Sequence, residues 1–318
     1  MTDDIIQLLP TPKALTVKDP WATFARDLSP RTQRAYSLDL REFFSFLGVE
    51  PRNHGALREV RPPHVLEYLD SVSRRDELGR LANAATVARK LSSVRAAFNW
   101  LRNCGLCEAN PAQFVRAPRV SATSPKQGLS REEARALVDA VEGKNVKAAR
   151  DRAILLTMLY GGLRRSELVA LRIRDLYQER QHWALYVRGK GEKVRTIPLA
   201  GEAVKAIHVY IEKAKRMTAG LDEPLFLPTR NNRTGELQKH LTTESVYALV
   251  GRYVKSAGFE KHISPHSLRH TAITFALDGG AKLERVQSFA GHSDPKTTIR
   301  YFRTAEDLDN SAAYSIKF

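Results

Sequence analysis

The stretches Ser264-Pro-His-Ser-Leu-Arg-His270, Ala290-Gly-His-Ser-Asp-Pro295 and Ile299-Arg-Tyr-Phe302 gather imidazoles, a guanidinium and a phenol near one end of the chain. Ser264 can accept orphan amide hydrogens as a helix cap, and Pro265 has no amide hydrogen to lose at the first helical position, so a helix starts there. His266 and Arg269, three residues apart, then share a face of its first turns, at the end of a helix that favours anions. Asp294-Pro295 repeats the start signal, which puts Tyr301 two turns into a second helix and His292 on the short loop before it. The chemistry this spacing points to is a phosphate held by His266, Arg269 and His292, with the Tyr301 phenol within reach.

Positioning such groups takes a scaffold, and the periodicity supplies one. Tyr36, Leu40, Phe43 and Leu47 recur at helical spacing after Ser29-Pro30. Pro62-Pro63 opens a helix carrying Val65, Leu69 and Val72, and one from about Ala84 lines up Val87, Leu91, Val94, Phe98 and Leu101 as a core stripe. Arg89, Lys90, Arg95 and Arg102 lie off that stripe, where cations ordinarily face water. Residues 117–128 hold two prolines and small polar residues without period, which reads as a linker. Ser130-Arg-Glu-Glu133 is a capping box that opens the second half. There the apolar run Ile154 to Tyr160 breaks at Gly161-Gly162, just before Arg164 and the next helix near Ser166. Trp183, Leu185 and Val187 alternate, Gly189-Lys190-Gly191 turns, and Val194 to Leu199 alternates again, which predicts a β-hairpin with Lys190 at its tip. Alone, Arg164 would read as a surface arginine and Lys190 as a solvated lysine.

Composition narrows the partner. With 318 residues the chain can bury a sizeable core and divide into two domains. Lys and Arg number 51 against 35 Asp and Glu, a formal net charge of +16 that suits a polyanion such as nucleic acid. The two cysteines, Cys104 and Cys107, have metal-like spacing but no second ligand pair follows, so they read as reduced thiols in the turn where a helix ends at Gly105. The acidic start lacks a signal-peptide pattern, and no apolar run reaches the ~20 residues a membrane helix needs. A cytoplasmic, nucleoid-associated protein with no membrane partner is the expectation.

His266-Ser-Leu-Arg269-His270, Gly291-His292-Ser293 and a tyrosine nine positions after His292 resemble the tyrosine recombinases, the phage integrase family. Gly162-Leu-Arg-Arg-Ser-Glu-Leu168 is similar to that family's first arginine box, and Arg188-Gly-Lys-Gly-Glu-Lys193 to its lysine-bearing hairpin. The four boxes stand in the family's order, and the resemblance spans about residues 18 to 305. It implies a mainly α fold with a small β-hairpin or sheet (α+β): a helical, SAM-like core-binding domain plus a mixed catalytic domain, closing as a C-shaped clamp on DNA. The implied boundaries are a lead-in at 1–17, the core-binding domain at 18–116, the linker at 117–128, the catalytic domain at 129–304 and a tail at 305–318 that contacts a neighbouring subunit. Arg89 and Lys90 become DNA-binding candidates by the same resemblance.

A phosphodiester repels nucleophiles and has a poor leaving group, so an enzyme without metal must supply positive charge, a nucleophile and a proton. Arg164 and Arg269 suit the first task, and Tyr301 the second, since a phenolate forms a reversible phosphate ester. The resemblance assigns Lys190 as general acid to the leaving 5′ oxygen, His266 as helper for the tyrosine proton, His292 as donor to a non-bridging oxygen, and Glu167 as the acidic residue that orients its neighbours. It further implies a 3′-phosphotyrosyl link, a four-way junction, no ATP, metal or other cofactor, and a homo-tetramer on two specific double-stranded sites, with or without a second recombinase. Chromosome dimer resolution, element mobility and inversion are all open as the task of such a simple, Xer-like or Cre-like enzyme. Two other readings share the sequence: a DNA-binding homologue that no longer cuts, which six filled catalytic positions argue against, and a type IB topoisomerase, which the compact helical N-terminal half argues against. A metal-dependent nuclease would need clustered acidic ligands, which the sequence does not offer.

Overall fold

The computed structural model describes residues 20–26, 28–74, 82–118, 128–189, 193–229, 235 and 237–302, with the backbone alone at 31, 296 and 300–302. It divides into two compact units, the first ending at residue 122 and the second starting at residue 123. The expected lead-in and tail, most of the expected linker, and Lys190 lie outside the described residues.

The described part of unit one is helical: α1 (Pro20–Arg26), α2 (Pro30–Leu47), α3 (His54–Arg58), α4 (Pro62–Ser73) and α5 (Ala84–Asn103). Ser29 caps α2 by accepting from the Thr32 amide, and Gly48 ends it at φ 62°, a left-handed turn that costs glycine little. The stripe expected on α5 is buried, with Leu91, Val94, Phe98 and Leu101 fully out of water against Phe43, Val65 and Tyr68. Each such side chain contributes about 1.5–3 kcal/mol on burial, so this interior is the main favourable contribution to the unit's folding. The helices start earlier than the residue-29 signal suggests. α1 is too short to show a period, yet its Trp21 and Phe24 pack on the core and the Trp100 indole donates to the Pro20 carbonyl at 2.8 Å. Cys104 caps α5, Gly105 turns at φ 70°, and both cysteines are free thiols.

Unit two runs α6 (Arg131–Asp139), α7 (Val146–Gly161), α8 (Arg165–Ala170), β1 (Leu176–Glu179), β2 (His182–Arg188), β3 (Val194–Pro198), α9 (Gly201–Lys213), α10 (Thr243–Ser256), α11 (Pro265–Asp278), α12 (Leu283–Ala290) and α13 (Pro295–Phe302). The Ser130–Glu133 capping box forms as expected, each residue accepting from the other's amide. α7 is buried on nearly every side, which explains why its sequence is apolar without a stripe. The expected hairpin is there, and a third strand joins it: β1-β2-β3 is an antiparallel sheet with Leu185 opposite Ile197 and Val187 opposite Arg195. β1 escaped notice because its Leu176, Tyr177, Gln178 and Glu179 do not alternate apolar with polar. Ser264 and Pro265 start α11, and Pro295 starts α13, as their cap signals require.

Candidate active site

Glycine 162 sets the first catalytic candidate. It ends α7 at φ 56°, and a Cβ there would lie 2.8 Å from the Phe289 ring, so both the backbone and the space demand glycine. Two residues later Arg164 caps α8, where the side chain of Glu167 accepts from the Arg164 amide at 2.8 Å. The same carboxylate accepts from Arg164 Nη1 at 2.7 Å, while Arg164 Nη2 donates to the Gly291 carbonyl at 3.0 Å. A single turn thus aims one arginine across to the loop that carries His292.

Glu167 is the hub. Its carboxylate is buried and also accepts two hydrogen bonds from Arg195, at 3.1 and 2.7 Å, with Arg269 Nη1 at 3.9 Å. Burial by itself would raise its pKa; the Arg195 bonds, the Arg164 amide and the nearby guanidiniums outweigh that and hold it below the usual carboxylate range. Three guanidiniums therefore surround one carboxylate, leaving positive charge for an anion to neutralise.

Arg269 is 2% exposed, on the first turns of α11. Its guanidinium donates to the Gly162 carbonyl at 2.7 Å and to the Ala290 carbonyl, so it ties the α7–α8 turn to the end of α12. His292 follows Gly291, the left-handed cap of α12, and is half-buried. Its Nδ1 lies 2.9 Å from Thr298 Oγ1 on α13. Burial first, then the charges of Arg269, Arg164, Arg195 and His266, push its pKa down to about 4, so the ring is neutral near pH 7. His266 is exposed on the first turn of α11, close enough for its charge to reach His292. An open cleft of about 960 Å3 lies beside this group, walled by Arg164, Arg195, Lys193, Gln287 and His292.

The structure therefore brings together Arg164, Glu167, Arg269, His292 and, through its charge, His266. Tyr301 lies in the second turn of α13, the helix whose Thr298 meets His292, and its side chain lies outside what is described. Lys190 follows Gly189, whose amide donates to the Lys193 carbonyl at 2.7 Å to close the hairpin next to the cleft. Arg195 is the residue that sequence reasoning passed over. A signal existed: it is in phase with buried Ile197 on β3, and a cation on the inward face of a strand needs a buried partner.

Arg89 and Lys90 belong to the other unit and are ion-paired within it, Arg89 with Asp39 and Lys90 with Glu42 of α2. Lys90, expected off the buried stripe, is only 8% exposed, because its stem lies along the core while the ammonium reaches Glu42. Among the described residues no cluster of three His, Cys, Asp or Glu could hold a metal ion, and no helix is long and apolar enough to cross a membrane.

Known proteins are similar to this chain in sequence and in fold. Residues 127–307 match the phage integrase family and residues 23–105 the phage integrase N-terminal SAM-like domain. The chain is 35% identical to tyrosine recombinase XerC of Pelobacter propionicus over 89% of this chain and 87% of that protein, and 33% identical to tyrosine recombinase XerC of Myxococcus xanthus over 86% and 87%. The fold resembles the XerH site-specific recombinase in its post-cleavage complex with a palindromic difH substrate (TM-score 0.68, 21% identity, 89% of this chain and 78% of that one). It equally resembles the Tn1549 transposon integrase bound to circular intermediate DNA (TM-score 0.67, 21% identity, 94% and 98%). With both halves matched, and relatives above 30% identity along most of its length, this chain belongs to the phage integrase family of tyrosine recombinases.

Proposed function

We propose that the protein is a site-specific DNA recombinase that cuts and rejoins double-stranded DNA through a 3′-phosphotyrosyl intermediate. The observation that carries this reading is the surplus of guanidinium over carboxylate around Glu167, beside an open cleft and against the helix that holds Tyr301. Arg164 and Arg269 stabilise charge that grows on the phosphoryl oxygens, and because Glu167 and backbone carbonyls already hold them in place, they need not reorganise as the charge develops. His292, neutral and already oriented, donates to a non-bridging oxygen. His266 takes part in moving the tyrosine proton. Tyr301 attacks phosphorus and forms the phosphotyrosyl ester as the bond to the 5′ oxygen breaks, and Lys190 gives that oxygen a proton. The freed 5′-hydroxyl of one duplex then attacks the ester in its partner, and a second round on the other strands resolves a four-way junction.

Arg89 and Lys90 are proposed to add phosphate contacts from ion pairs that DNA must first loosen. The working unit is a homo-tetramer on two sites, in which both domains contact DNA and the C-terminal tail contributes to the contact with a neighbouring subunit.

A nicked suicide substrate tests the chemistry. The wild type becomes covalently attached to DNA and Tyr301→Phe does not, while both bind the duplex alike and excess chelator changes neither result. Covalent trapping by Tyr301→Phe would remove the nucleophile assignment, and loss of trapping in chelator would remove the metal-free one.

A further inference from the structure

One partly buried side-chain hydrogen bond at the edge of the cleft has no part in holding the arginines: Nδ1 of His292 lies 2.9 Å from Oγ1 of Thr298. Thr298 is fully buried and lies on α13, one turn before Tyr301. A neutral imidazole carries one N–H and one lone pair, and the partner at one nitrogen decides which nitrogen keeps the proton. Neutrality near pH 7 follows from burial and from the guanidiniums around the ring. A backbone carbonyl at Nδ1 would pin the proton there and make Nε2 an acceptor. A carboxylate there would also draw the ring toward imidazolium. A hydroxyl can donate instead, and when it does, Nδ1 accepts and the proton sits on Nε2. Phosphoryl oxygens only accept, so a ring that bonds one must present Nε2–H.

We propose that Thr298 is a positioning residue: with DNA in the cleft its hydroxyl donates to Nδ1 of His292, keeping the ring proton on Nε2 for a phosphoryl oxygen. The assignment rests on the reading of His292 as a donor to that oxygen. The same bond fastens α13 to the loop that carries His292, so the helix of the nucleophile and the oxyanion donor share one anchor. Threonine also suits the place sterically, since its β-branched side chain holds few rotamers and fills the buried site.

The test uses the full-length protein, a nicked suicide substrate and 15N NMR of the histidine rings on uncleaved DNA in a Tyr301→Phe background. Thr298→Ser keeps the hydroxyl and cleaves within about twofold of wild type, whereas Thr298→Val loses one hydrogen bond and cleaves about tenfold more slowly with duplex affinity unchanged. In the DNA-bound protein with Thr298 intact, His292 shows the Nε2–H tautomer, and Thr298→Val shifts the population toward Nδ1–H. A purely structural threonine would not move that signature. An Nδ1–H ring in the Thr298 protein overturns the proposal, and this measurement stands whether or not the valine variant folds. Wild-type cleavage by Thr298→Val also overturns it. His292→Ala, assayed alongside, separates the two failures: if it cleaves poorly while Thr298→Val does not, only the Thr298 role falls; if it too cleaves at the wild-type rate, the donor role of His292 falls as well.

Discussion

Cations are used in opposite ways in the two units. On α5, Arg89 and Lys90 are matched one for one by Asp39 and Glu42, and Asp39 is buried under its partner. Around Glu167 one carboxylate serves Arg164, Arg195 and Arg269, and the excess charge faces an open cleft. A balanced pair lowers the cost of burying charge and leaves little for a ligand. An unbalanced cluster is held together by backbone carbonyls and one carboxylate, and gains further when an anion arrives. Imbalance alone does not make an active site. Buried Asp151 also meets three cations, with buried Arg150 bonding it twice, Lys147 and Arg252 about half exposed, and Tyr253 completing its shell. What distinguishes Glu167 is that Arg164, Arg195 and a neutral histidine, His292, line one cleft beside it, while Arg269 reaches it from the first turns of α11.

The strongest way to break this contrast is to remove a cation from the unbalanced cluster. Arg164→Ala is expected to slow suicide-substrate cleavage by about 10²–10³-fold, the cost of one preorganised oxyanion donor, with duplex binding largely kept. Cleavage within a few-fold of wild type would show that the surplus charge is not catalytic.

Acid sharpens the contrast with a smaller effect. The folded pKa of His292, about 4, lies below the 6.5 of an ordinary histidine, so between those values the unfolded chain binds more protons and stability falls as pH falls. Glu167, also held low, adds stability that is lost only as pH drops through its own depressed pKa. The urea midpoint should therefore decline from pH 6.5 downward, and His292→Gln should flatten the upper part of that decline. An unchanged profile in the variant would remove the claim that the cluster holds the ring neutral.

The smallest effect is expected in the balanced pair. Arg89→Ala should weaken duplex binding by about threefold or less and cost about 1 kcal/mol of stability, since it strands a buried carboxylate whose partner was half exposed. Affinity loss of a hundredfold would place Arg89 among the principal DNA contacts and erase the distinction between the units.

The helical halves and their caps could be read from the chain because they depend on local spacing. Ser29, Ser130 and Ser264 cap helices through amides three residues away, and the α5 stripe needs only one helix's period. α1 and β1 were not legible, since each is too short to display a period and is held by distant partners such as Trp100 and β2. The site divides in the same manner. The motif order identified Arg164, Glu167, Arg269 and His292 as candidates, but it carried nothing about Arg195 or Thr298, whose partners are 28 and 6 residues away.

The sequence by itself determined the residue types, their order and the helix starts that present them, because capping and periodicity are settled within a few residues. Only the tertiary structure decided that Arg269 is spent on the Gly162 and Ala290 carbonyls as well as on charge, and that Arg195 completes the Glu167 hub. It also decided that Lys90 is buried on Glu42 and that His292 is neutral. Those outcomes depend on desolvation and on charges brought together from far apart in the chain, and neither quantity exists until the chain has folded.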